Sequence, residues 1–197
     1  MAYKVTSDLT ITAAGSISKY QYKNRPTAFR SAENGAIEDR TDVVYLKNFY
    51  VPNGPQTVGS LSVNYNAPHM WFLELNGSWT GDSYIQVTPL RHMFIEGMLG
   101  CDTKDQYIDK VKEITLQDKL RDAFTLNASI GKLIYVNRKM SLNFNVSVNN
   151  ILNKKNIQTG GYQQNRFDYT DYDVNKYANK YYYTQGIRVF ANVGIKF

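Results

Sequence analysis

Residues 71–80 read Trp71-Phe72-Leu73-Glu74-Leu75-Asn76-Gly77-Ser78-Trp79-Thr80. Trp71, Leu73, Leu75, Gly77 and Trp79 occupy every second position, with Glu74, Asn76, Ser78 and Thr80 between them. A period of two predicts a strand with one polar face. The two tryptophans share the apolar face, eight residues apart. At ~3.3 Å per residue that is about 26 Å along the strand, or about 20 Å vertically after a tilt near 40°. Such a spacing fits two aromatic girdles bracketing an apolar band, so Trp71 and Trp79 are candidate girdle residues.

The same alternation recurs on both sides of this stretch. Upstream, Leu9, Ile11, Ala13, Gly15 and Ile17 mark a strand over 8–18, and Leu61, Val63 and Tyr65 mark another. Downstream, Phe124, Leu126, Ala128 and Ile130 alternate with Thr125, Asn127 and Ser129, and the pattern loosens at Gly131, which reads as a bulge. Leu142, Phe144, Val146 and Val148 then alternate with Asn143, Asn145, Ser147 and Asn149, and Ile187, Val189, Ala191, Val193, Ile195 and Phe197 form the last strand. Six strands are thus predicted, several longer than the ~5 or 6 residues usual in soluble sheets. Their connections alternate in length: 19–58 long, Ala67–His69 short, 81–122 long, Asn137–Lys139 short, 151–182 long. This is the pattern of an all-β, antiparallel up-and-down meander, as in a transmembrane β-barrel with short periplasmic turns and long extracellular loops. The amide-rich faces, with Asn143, Asn145 and Asn149 as the clearest set, suit a hydrated or plugged lumen.

Composition removes several alternatives. The 197 residues are 43% apolar and 20% charged, which is not a disordered profile. Sixteen Tyr, nine Phe and two Trp coexist with a mean hydropathy of −0.45, so the rings are set among Asn, Thr and Ser rather than in aliphatic runs. No apolar stretch approaches the ~18–20 residues of a transmembrane helix. The single Cys101 makes no internal disulfide, and His69 and His92 leave little material for a zinc site or a histidine triad. The net charge of +6 is not gathered on one face: Lys110, Lys112, Lys119 and Arg121 alternate with Asp109, Glu113, Asp118 and Asp122, which argues against nucleic acid. Neither a phosphate loop nor an activated nucleophile is present, so an enzyme is not expected. No secretion signal opens the chain.

Local sequences add a resemblance. Val148-Asn149-Asn150-Ile151-Leu152-Asn153-Lys154-Lys155 resembles the end of the penultimate barrel strand in TonB-dependent outer-membrane receptors, and a terminal strand closing on Phe197 fits the same family. Pro55-Gln56-Thr57 leading to Asn64 through Phe72, Gln117-Asp118-Lys119-Leu120 before Ala123 through Leu126, and Thr159 through Asp168 resemble the subgroup with an N-terminal carboxypeptidase-regulatory-like domain. Six strands fall short of that family's roughly 22. The resemblance therefore implies that residues 1–197 are the C-terminal part of a barrel domain, without the plug, energy-coupling box and signal peptide that precede it. It implies active uptake of a scarce solute such as a siderophore, glycan or peptide across the outer membrane of a Gram-negative cell. The implied partners are outer-membrane lipid, the plug and upstream strands, TonB acting through that plug, the barrel-assembly machinery reading Val193, Ile195 and Phe197, and, in some members, a surface lipoprotein. A passive porin-like barrel and a soluble all-β binding or adhesin module are the alternatives.

Within the third long loop, Tyr162, Arg166, Phe167, Tyr169, Tyr172 and Tyr177 combine flat rings with a guanidinium. Tyr162, Arg166, Phe167 and Tyr169 are the ligand-contact candidates, against loop-on-loop packing as the alternative. Tyr181, Tyr182 and Tyr183 suit the external girdle, where phenol groups meet headgroups. Asp168, Asp171 and Asp173 lack the spacing of a calcium loop, and His92 with Cys101 is a weak metal pair, so neither metal nor cofactor is expected. Residues 105–120 carry Tyr107, Ile108, Val111, Ile114 and Leu116 at helical spacing, predicting a short amphipathic helix.

Overall fold

The computed structural model describes the chain apart from residues 32, 36–37, 53, 94–102, 169 and 172. Its frame is one antiparallel sheet of seven strands, β1 (Ala2–Lys4), β2 (Leu9–Ile17), β5 (Thr57–Ala67), β6 (Trp71–Gly81), β7 (Ala123–Tyr135), β8 (Ser141–Asn149) and β11 (Arg188–Lys196), in that spatial order. Two small hairpins, β3 (Thr27–Arg30) with β4 (Arg40–Val43) and β9 (Gln158–Tyr162) with β10 (Lys180–Tyr183), stand in the first and third long connections. A helix, α1 (Lys104–Thr115), stands in the second. The fold is all-β and antiparallel, and the seven-stranded sheet is open, with β1 and β11 as its two edges.

Each short turn is closed by chemistry suited to it. Between β1 and β2 the Thr6 hydroxyl accepts the Asp8 and Leu9 amides at 3.3 and 3.1 Å. At the β7–β8 turn, Asn137 Oδ1 accepts the Lys139 and Met140 amides at 2.9 and 2.8 Å. His69 and Met70 hold φ of 62° and 61° between β5 and β6, a left-handed turn that follows the twist of the strands. Short turns therefore lie on one rim of the sheet, and connections 18–56, 82–122 and 150–187 on the other.

Register assigns every strand residue to a face. Leu61 faces Gly77, Val63 faces Leu75 and Tyr65 faces Leu73; across the next pair Leu73 meets Ile130, Leu75 meets Ala128 and Trp79 meets Phe124. Ile130 meets Val146 in turn, and Val146 meets Ala191. One face is consequently apolar from β2 to β11, with Lys132 as its one charged residue, held at 4.7 Å over the Trp71 ring. The opposite face is mostly amide and hydroxyl, with Phe72, Glu74 and Phe190 set among them. There Asn76 Nδ2 donates to Ser60 and Ser62, and Asn76 Oδ1 accepts from the Ser78 hydroxyl at 2.9 Å.

No apolar side chain of this sheet belongs to the buried core among the described residues; Val193 and Ile195 are 61% and 56% exposed. The core lies among the long connections instead. Val44, Leu46 and Phe49 of the first pack with Met93 of the second, and Ile114 of α1 packs with Phe167 and Val174 of the third. Polar ties run between the same segments. Gln117 mimics a strand residue toward Tyr50, accepting its amide at 2.7 Å and donating to its carbonyl at 2.6 Å.

Four expectations change. The sheet has seven strands rather than six, because Ala2–Lys4 adds a short edge to β2. Both long-loop hairpins were hidden by the mixed, short-range patterning of their sequences. The helix ends at Thr115 rather than near Leu120, since Leu120 is buried and its amide bonds Ser83 O at 2.8 Å. Gly131 is not a bulge: it pairs in continuous register with Phe72 and Asn145.

Glycine is required at 131 for a different reason. A Cβ there would lie 2.0 Å from Phe72 Cζ and 2.6 Å from the Phe144 carbonyl oxygen. Gly131→Ala is expected to lower stability by about 1–3 kcal/mol through overpacking. Gly59→Ala, where nothing lies within 4 Å, is expected to change it little. Thermal unfolding of the two variants under the same conditions checks the contrast.

The corner that follows β8 explains the stretch 148–155. Asn150 is 5% exposed with φ 55°. Its Nδ2 donates to Lys154 O and Gln185 O at 2.8 and 3.0 Å, its Oδ1 accepts the Lys154 amide at 3.1 Å, and its own amide donates to Asn127 Oδ1 at 2.9 Å. Asn153, with φ 50°, accepts the Ile187 amide at 3.0 Å. Together they fasten the end of β8 to the start of β11.

Candidate ligand cleft between the long connections

Between the second and third long connections the structure forms a cleft of about 290 Å³, lined in part by Arg91, His92, Glu113, Leu116, Asp118 and Asn179. Arg91 reaches its floor through a 3₁₀ turn, Pro89–Arg91, which Pro89 starts with its preset φ. The Arg91 side chain is 4% exposed; Nη1 donates to Asn179 Oδ1 at 3.1 Å and Nη2 to the Tyr177 carbonyl. Burial holds the guanidinium below its ordinary pKa.

His92, 1% exposed, is fixed at both ring nitrogens: Nδ1 lies against Ile114 O, and Nε2 lies 2.9 Å from Gln163 Oε1, which also accepts the Thr88 amide at 2.9 Å. The Phe49 ring meets it edge-on at 5.0 Å. Burial pushes the imidazole below its ordinary value against the raising effect of the Ile114 and Gln163 contacts, and the nearby Arg91 charge adds to the fall. With both nitrogens engaged, His92 acts as a tie between connections rather than as a metal ligand. Cys101 lies outside the described residues.

On the cleft's other side Asp118 accepts from Asn179 Nδ2 at 3.1 Å and from the Tyr181 hydroxyl. That donated bond, then burial, raises the Tyr181 phenol. Asn179 therefore bridges Arg91 and Asp118, holding guanidinium and carboxylate one amide apart. Glu113, at the rim, pairs with Lys110 at 3.4 Å.

The residues singled out from sequence do not gather here. Tyr162 lies on β9 with its ring 5.8 Å from Tyr182, and the Arg166 guanidinium sits 5.8 Å over the Tyr177 ring. Phe167 is 8% exposed and packs on Ile114 and Val174. Tyr169 lies outside the described residues. Asp168 pairs with Lys176 at 3.0 Å, and Asp171 with the same lysine at 3.5 Å. Trp71 and Trp79 do share the apolar face, at its short-turn and long-loop ends. Tyr181 faces Asp118 within the loop cluster, while Tyr182 and Tyr183 are more than half exposed. Val193 and Ile195 stand on the apolar face of β11, and Phe197 is 89% exposed just past it. Arg91, Asp118 and Asn179 escaped sequence reasoning because up to 88 positions separate bonded partners. Only the helix-start signal Thr88-Pro89 marks the place locally.

No family model matches the chain, and no curated protein matches it. Among solved structures, it is similar to the ferric-catecholate import receptor Fiu of E. coli K12, with a TM-score of 0.41 and 11% identity over 99% of this chain. The chain spans about a quarter of that receptor, 26% of its length.

Proposed function

We propose that this chain is a segment of the barrel of a TonB-dependent type outer-membrane receptor, acting in active uptake of a scarce solute. The observation that carries the reading is the division of the molecule. A seven-stranded meander has one continuous apolar face and no core of its own, while the buried apolar residues lie among the long connections of one rim. A soluble sheet would cover that face with a second layer; hydrocarbon would cover it here. The hydroxyl and amide face would then line the lumen, and the loop cluster would face the cell exterior. The Asn150 corner and the terminal strand support the reading through the family resemblance of their sequences. On this reading the edges β1 and β11 pair with further barrel strands, because open backbone edges in hydrocarbon cost several kcal/mol per group. A plug, TonB, the assembly machinery and a surface lipoprotein are partners of the same proposal.

Topology is the direct test. Single cysteines at Lys47 and Asn165, with Cys101 replaced by serine, are expected to react with a membrane-impermeant maleimide on intact Gram-negative cells. One at Arg138, in a short turn, is expected to react only after the outer membrane is permeabilised. Equal labelling at all three positions overturns the proposal.

A further inference from the structure

The loop-cluster cleft carries two charges, Arg91 and Asp118, that the described residues leave without counter-ions. Among the described residues no carboxylate oxygen lies within 4.0 Å of the Arg91 guanidinium, and no lysine or arginine nitrogen lies that near Asp118. They do not pair with each other either, because Asn179 stands between them and bonds both. A buried guanidinium with only neutral partners is costly, and an anion placed beside it relieves that cost. The same anion, free of other charge, would be repelled by Asp118; a simple cation would be repelled by Arg91. The group that satisfies both carries a negative and a positive charge about as far apart as the two ends of the Asn179 amide. A carboxylate and an ammonium on one carbon have that spacing. Leu116 and Val174 supply the apolar part of the wall, and Leu116 is 65% exposed at the rim.

We propose that the cleft binds a zwitterionic α-amino-acid head group, its carboxylate on Arg91 and its ammonium on Asp118, with an apolar side chain against Leu116 and Val174. The open rim leaves room for the head group to be the end of a larger molecule. The binding chemistry goes beyond the uptake reading and stands whether or not the sheet lies in a membrane.

The test uses the full chain in detergent micelles, with near-ultraviolet circular dichroism reporting that the loop aromatics are ordered. Three probes are titrated by saturation-transfer NMR: L-leucine, N-acetyl-L-leucine and L-leucinamide. L-leucine is expected to bind, and each blocked derivative to bind at least about tenfold more weakly, a loss of about 1.4 kcal/mol. Leu116→Trp, placed at the exposed rim to fill the cleft without touching the buried ties, is expected to abolish binding and keep the dichroism. Asp118→Asn is expected to remove the preference for L-leucine over N-acetyl-L-leucine and keep the preference over L-leucinamide. Equal binding of the three probes overturns the proposal, as does absence of L-leucine binding at about 10 mM to the ordered chain. Binding without any uptake of the probe by cells would count against the transport reading and leave the site in place.

Discussion

Val146→Arg, made in the complete barrel of which this chain is proposed to be a segment, is expected to abolish insertion into the outer membrane, while Ser147→Arg, one residue along the same strand, leaves insertion near the parent level. Val146 stands in the middle of the apolar face, paired with Ile130 on β7 and Ala191 on β11. An arginine at the midplane of a barrel's lipid face costs about 2–4 kcal/mol. Ser147 points to the hydroxyl and amide face, where it pairs with Ser129, itself paired with Glu74. On the proposed barrel reading an arginine there faces the lumen, near the Glu74 carboxylate. Quantitative blotting of outer-membrane fractions reads the contrast. Equal loss at both positions would mean that the strand tolerates no arginine at all. Equal tolerance would mean that the apolar face is not in hydrocarbon, since an exposed site in water changes stability by only about 0.5 kcal/mol.

The second large effect lies at the corner after β8. Asn150→Asp is expected to destabilise the fold by about 3 kcal/mol or more, because it sets a carboxylate oxygen against the carbonyls of Lys154 and Gln185 where an amide now donates to both. Asn150 is 5% exposed, so water does not screen the repulsion. Asn150→Ala removes the same bonds without adding charge and is expected to cost less, about 1–3 kcal/mol. The order Asp below Ala below parent, in the temperature at which the folded band is lost on unheated gels, is the expected result. Reversal of the two variants would mean that the left-handed backbone at 150, which alanine tolerates poorly, matters more than the side-chain bonds.

The sequence by itself determined six of the seven strands of the sheet. A period of two needs no distant partner to be read: Trp71, Leu73, Leu75 and Trp79 declare their face through the pleat alone. The register then extends that face across β5, β7, β8 and β11 without a break. Connection lengths fixed which rim carries the long loops, and the helical spacing of Val111 and Ile114 placed α1, overrunning its true C-terminus at Thr115 because Leu120 finds a tertiary partner instead. Tertiary structure decided the rest. Gly131 looks like a broken pattern until the Phe72 ring is seen lying across it from the neighbouring strand. The β3–β4 and β9–β10 hairpins have too little alternation to stand out, being held by the long connections around them. The cleft was illegible for the same reason, on a larger scale. Arg91, Asp118 and Asn179 come from segments with no common period, joined by bonds across 61 and 88 positions, and only the packing of connection on connection brings them together. Local periodicity encodes which way a side chain points along its own element; which side chains meet depends on how separate elements pack, and no window of sequence contains that.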